Sequence, residues 1–226
     1  MMKGLKRAGG LMAIVVAVSL ILVGVSASVY AMEGDSPWLV RVRALGVIPD
    51  DDSTDISVVG GKAEVDDAIT AELDFSYFFT DNIAAELILA VTNHDVEAKG
   101  TALGDADLGD VWLLPPTLTL QYHFMPDAQF RPYVGAGINY TVFFGEDEGD
   151  ADDIEYDDGF GFAAQAGFDW GLDDNWAINV DVKKLWLSTD VEVDAQTAAG
   201  ASAPTWVETE VDIDPWIIGV GVAYKF

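Results

Sequence analysis

Two histidines, His94 and His123, are the only side chains of this chain that ordinarily titrate near neutrality, so acid–base catalysis would have to be built around them. His123 lies in an alternating segment, where a carboxylate partner is the simplest expectation. His94 is followed by Asp95 and either lines the mouth of a pocket or faces solvent. No Gly-x-Ser-x-Gly, His-Glu-x-x-His or phosphate-loop pattern occurs, so hydrolysis and phosphoryl transfer lack a residue set. The other dense group of donors is the stretch 145–158, GEDEGDADDIEYDD, with nine acids in fourteen residues. One expectation for such a run is binding of divalent cations, which would bridge it to the phosphates of a lipid surface. It lacks the Asp-x-Asp-x-Asp-Gly spacing of a dedicated calcium loop, and a solvated or salt-adapted charge run explains it as well. No catalytic residue, cofactor or metal-ligand set is assigned.

The elements that would position any site follow from composition. The formal charge is -28, which would repel nucleic acid, yet half the residues are hydrophobic and 11 Phe, 7 Tyr and 7 Trp need burial. Lys3, Lys6 and Arg7 precede an apolar run from Leu11 to Val25, and Val29-Tyr30-Ala31 supplies small residues where a signal peptidase reads. Residues 1–31 are therefore expected to be a cleaved signal peptide, and residues 32–226 the mature protein. Loss of three cations takes the charge from -28 to -31. Cysteine is absent, so an exported chain of this size must be held by ordinary burial or by a membrane.

Beyond the leader the recurring pattern is alternation over about ten residues, the length of a tilted strand crossing a bilayer. Eight such segments occur, roughly 37–47, 68–79, 83–93, 113–124, 131–144, 159–171, 175–187 and 213–226. The connections alternate strictly: short turns at 80–82, 126–130 and 172–174, long loops at 48–67, 94–112, 145–158 and 188–212. An even strand number with long and short loops at opposite ends predicts an all-β fold, an eight-stranded antiparallel transmembrane β-barrel of the bacterial outer membrane. Leu73, Phe75, Tyr77 and Phe79 alternate with Glu72, Asp74 and Ser76, so the apolar parity faces lipid. Tyr77, Phe79, Tyr122, Phe124, Phe168, Trp170, Trp176, Tyr224 and Phe226 fall near the short turns, as an aromatic girdle at one interface.

The inward parity then sorts by height. Arg41, Arg43, Asp74, Glu86, Gln121, His123, Asp169, Asn179, Asp181 and Lys225 form a charged lumen floor near the periplasmic end, in a barrel too narrow for a wide pore. Above it Leu45, Ala68, Ile88, Ala90, Leu113, Phe143, Leu185 and Ile217 form an apolar zone, which is either a pocket for a small hydrophobic ligand or plain lumen packing. Pro115 and Pro116 remove ladder donors inside an apolar segment, marking either a gap in the lateral wall or simply the start of a strand after Pro116.

The stretches TDNIAAEL (80–87), LPPTLTLQYHF (114–124), RPYVGAGINYTVFF (131–144) and DPWIIGVGVAYKF (214–226) closely resemble the outer membrane protein W family over nearly the whole mature chain. The resemblance implies an eight-stranded barrel whose hydrophobic lumen passes small hydrophobic compounds across the outer membrane, with exit through the wall. It implies a gate at Ile88 and, where the family carries a large aromatic, places Lys183, with Trp186 on the other parity. The family's Thr-Pro followed by His is here Thr92-Asn93-His94, and Phe226 resembles the signal that the outer-membrane insertion machinery reads. The rival expectation is a structural or surface-interaction barrel acting through its acidic extracellular loops.

Overall fold

Alternation produces strands here because each barrel segment has one apolar and one polar face, and only a closed sheet satisfies its backbone polar groups in lipid. The computed structural model describes residues 36–50, 52–53, 62–101, 104–145, 153–194 and 206–226. In chain order its strands are β1 (Trp38–Ile48), β2 (Asp52–Ser53), β3 (Lys62–Val65), β4 (Ala68–Phe78), β5 (Ile83–Ala90), β6 (Thr92–Thr101), β7 (Gly104–Leu114), β8 (Thr117–His123), β9 (Phe130–Phe144), β10 (Asp153–Tyr156), β11 (Gly159–Gly171), β12 (Trp176–Trp186), β13 (Ser188–Asp194), β14 (Trp206–Asp212) and β15 (Trp216–Lys225). The expected leader, 1–31, and the centre of the acidic stretch, 146–152, lie outside the described residues.

Eight of these strands close a barrel in the cyclic order β1, β4, β5, β8, β9, β11, β12, β15, every neighbour antiparallel. They match the eight alternating segments with one correction. Leu113 and Leu114 end β7 rather than opening the fourth barrel strand, which begins at Thr117 because two consecutive prolines cannot donate to a ladder. Outward residues such as Leu120 and Phe162 are 60% and 70% exposed, as a lipid-facing wall requires, while inward Arg41 is fully buried. Near the short turns the aromatics meet in pairs across neighbouring strands, with Trp176 against Tyr224 at 4.9 Å and Phe130 against Phe168 at 5.1 Å.

The long connections are not loops throughout. β3, β6 and β7 carry the wall upward on one side, β7 joining the last residues of β9 (Leu114↔Val142, Trp112↔Phe144). On the other side β10, β13, β14 and β2 form a four-stranded sheet. Outside the bilayer the outer face of these strands no longer needs to be apolar, so the alternation that marks a lipid-facing strand fades. Val96, Val111, Phe143, Tyr156, Val191 and their neighbours from both extensions pack as one cluster over the outer end of the lumen, with Phe143 and Tyr156 stacked at 5.5 Å.

Close strand approach demands glycine at Gly137, where a Cβ would stand 2.0 Å from the Leu118 carbonyl oxygen. Gly137→Val is expected to lower barrel stability by about 1–3 kcal/mol or to prevent closure. Loss of the gel-mobility difference between folded and boiled protein would show it. At the periplasmic turn the Asp173 carboxylate accepts the backbone N–H groups of Asn175 (2.9 Å) and Trp176 (2.7 Å), which hold its pKa below the usual carboxylate range. That contribution is complete above the unfolded value of about 3.9 and is lost as the pH falls through the lowered folded value. The acid sensitivity of unfolding should therefore lessen in Asp173→Asn, as read from melting curves across that window.

Candidate functional site

The lumen is layered, and its middle layer is built on β1. Alternation points Arg41 and Arg43 inward, where neither guanidinium can reach water, so each must find acids on facing strands. Arg41 binds Asp169 through two nitrogens (Nη2 to Oδ2 2.8 Å, Nε to Oδ1 3.2 Å), pairs with Glu86, donates to Ser76 at 2.9 Å and lies over the Tyr133 ring at 4.9 Å. Arg43 meets Glu72 at 2.8 Å, Asp74 at 2.6 Å, Asp181 at 3.3 Å and Glu86 at 3.4 Å. Lys183 joins from β12, with Nζ 2.7 Å from Glu72 and 3.1 Å from Asp181. Three buried cations thus face the five buried carboxylates Glu72, Asp74, Glu86, Asp169 and Asp181. Neutral donors share the excess negative charge: Ser76 to Glu86 (2.7 Å), Tyr133 to Asp181 (2.8 Å) and Asn179 to Asp169 (2.8 Å).

The sequence expectations for this layer need amending in three places. Among the described residues His123 has no carboxylate hydrogen-bond partner: its Nε2 lies 3.0 Å from Gln121 Oε1, and the ring sits between Phe78 (4.8 Å) and Tyr133 (5.0 Å). Lys225, expected in the floor, is only partly buried and lies 6.0 Å from the Phe78 ring centroid. Tyr133, Gln165 and Glu72 were not anticipated as members. Each has the inward parity of a residue that was, and Gly167 opposite Tyr133 is the further signal: a Cβ there would stand 2.6 Å from the phenol oxygen.

Above this layer lies a small, mainly apolar cavity of about 50 Å³, room for a few waters. Leu45, Ala90, Leu113, Leu185 and Ile217 line it, Glu72 and Lys183 form its base, and Pro115 and Pro215 flank it. Ile88 is buried one inward position nearer the periplasm, outside the lining, and Phe143 belongs to the outer cluster above. Ala68 packs against the apolar layer from β4. His94 takes the pocket-side alternative: it is 5% exposed, lines the cavity and has Nδ1 2.8 Å from the Asp66 carbonyl oxygen.

The wall beside the cavity is interrupted. Pairing of β5 with β8 ends at Ile88↔Thr117 and pairing of β6 with β7 begins at Thr92↔Leu113, leaving 89–91 and 114–116 without a ladder pair across this seam. The other flank of the prolines is held to β9, where Tyr140 N–H donates to the Pro116 carbonyl (3.1 Å) and the Asn139 amide to that of Pro115 (3.1 Å).

A closed antiparallel wall with an apolar exterior, an aromatic girdle and a lumen filled by paired charges defines a transmembrane β-barrel of the bacterial outer membrane. The chain belongs to the OmpW family, whose model matches residues 33–226. It is 46% identical to the outer-membrane protein y4mB of Sinorhizobium fredii over 85% of this chain and 81% of that one. It is 37% identical to outer membrane protein W of Vibrio cholerae over 89% and 93%. Among solved structures it resembles the crystal structure of outer membrane protein OprG from Pseudomonas aeruginosa, with a TM-score of 0.78, 33% identity and coverage of 85% of this chain and 97% of that one.

Because Arg43 answers several acids at once, Arg43→Met is expected to cost about 3–5 kcal/mol by stranding buried carboxylates. Arg43→Lys should recover only part of this, since an ammonium cannot reproduce the guanidinium fork. Urea unfolding of the refolded barrel measures both.

Proposed function

We propose that the protein takes up small hydrophobic molecules from outside the cell and releases them sideways into the outer membrane, with no bond made or broken. The observation that carries this reading is the apolar cavity between the charged layer and the outer cluster, lying against the Pro115–Pro116 interruption of the wall. The charged layer opposes travel straight down the lumen, because an apolar solute would have to displace paired ions without replacing their bonds. Three missing ladder pairs make the wall beside the prolines the cheaper way out. The resting cavity, about 50 Å³, is far below the roughly 300 Å³ at which ligand pockets begin. Entry therefore requires the outer cluster around Phe143 and Tyr156 to part. Lipid and lipopolysaccharide surround the barrel in this reading, and Phe226 serves recognition by the insertion machinery.

The test is binding of a fluorescent long-chain hydrophobe to the refolded protein, alongside Ala90→Phe, which fills the cavity from its edge, and Ile88→Arg. Wild type is expected to bind, and Ala90→Phe to weaken binding by about tenfold or more. Absence of binding by the wild type would overturn the reading and turn attention to the acidic loops as the functional part.

A further inference from the structure

The wall is interrupted at a second place. β12 and β15 pair up to Lys184↔Trp216, and β13 and β14 take over at Ser188↔Asp212. Between them Leu185–Leu187 and Ile213–Pro215 carry no ladder pair with each other. Pro215 has no N–H to give. The Leu187 N–H goes to the side-chain Oδ1 of Asp214 at 2.8 Å rather than to a backbone carbonyl. Asp214 has φ of 35°, the left-handed region, and among the described residues it is the only non-glycine so placed. Two backbone bonds still cross the interval, Leu185 N–H to Pro215 at 3.2 Å and Ile213 N–H to Leu187 at 2.9 Å.

This seam is the counterpart of the one at the prolines of β8. In the cyclic strand order, four strands separate the β12–β15 seam from the β5–β8 seam in either direction, so the two lie on opposite walls. In both, the register continues unchanged from one side of the break to the other, so Ala90 falls opposite Pro115 and Trp186 opposite Asp214. The cavity touches both: Ala90, Thr92 and Pro115 at one end, Leu187, Ile213 and Pro215 at the other.

Resting on the uptake reading above, we infer that the β12–β15 seam is a second lateral exit for the same class of uncharged hydrophobic molecule, held shut by a polar latch. The latch is Asp214 and Lys184. Lys184 is the one charged side chain on the lipid-facing parity of the described barrel strands. Its ammonium donates to the Asp214 carbonyl, lies 3.2 Å from Asp50 Oδ2 and sits over the Trp216 ring at 5.2 Å. An ammonium at the edge of the hydrocarbon is costly unless it is bound in this way, and binding it ties β12 to the turn that precedes β15. Among the described residues no such tie crosses the β5–β8 seam, so it is the readier of the two exits.

The chain has no cysteine, so each seam can be locked by one introduced pair: Ala90→Cys with Pro115→Cys, and Trp186→Cys with Asp214→Cys. The readout is transfer of a pyrene-labelled alkane through refolded protein into the liposome bilayer, with each pair oxidised and then reduced. Oxidation of either pair alone should lower the transfer rate without abolishing it, and oxidation of both should bring it to that of protein-free liposomes. With the first seam locked, Asp214→Ala should raise the residual rate by taking away the carboxylate that accepts the Leu187 N–H; the backbone carbonyl that holds Lys184 stays in place. The second exit is overturned if locking the first seam alone already gives the protein-free rate, if oxidising the second pair changes nothing, or if Asp214→Ala leaves the residual rate unchanged. A wild type no faster than protein-free liposomes would instead remove the uptake reading, and this inference with it.

Discussion

Satisfaction of every backbone polar group in a medium without water is the constraint on which the rest depends. It requires closure, closure of eight strands leaves a narrow lumen, and a narrow lumen must be filled. The filling is polar because the outward parity has already taken most of the large apolar residues for lipid. Arg41 and Arg43, on the strand that meets both β4 and β15, then draw acids inward from four other strands. The charged layer is thus a consequence of the bilayer outside as much as of any need within, and it lies beneath the apolar upper part of the lumen.

The same constraint explains where the wall can be irregular. Within the hydrocarbon an unpaired N–H is expensive, so interruptions sit toward the outer end of the barrel, about ten residues above the short turns, where water begins. Proline suits these positions because it has no donor to strand. At the β5–β8 seam the neighbouring carbonyls are turned to β9, and at the β12–β15 seam a carboxylate substitutes for the missing backbone acceptor.

Most of the barrel was legible because lipid imposes a period-two code over about ten residues, and Trp216 to Phe226 or Trp176 to Val182 show it without ambiguity. The seven extension strands were not legible. Segments such as Thr92–Thr101 and Gly104–Leu114 pair with one another rather than within the lipid-facing wall, and their sequences carry small and acidic residues where Leu or Phe would be needed in lipid. In the lumen, parity placed Arg41, Arg43, Asp74 and Asp181 inward, but parity does not choose partners. That His123 meets an amide between two rings, and that Lys183 settles on Glu72, depends on strand stagger, which a single chain read along its length does not display.

The unchanged register across both seams has a mechanical consequence. The stagger of strands around a barrel, its shear, fixes diameter and tilt together. A bulge at either seam would have offset the shear of the wall above from that below, and parting the strands would then have meant sliding them. Here three residues face three on each side, so the wall above and below either seam shares one shear, and the lateral release proposed above would let the strands part and meet again in the same alignment.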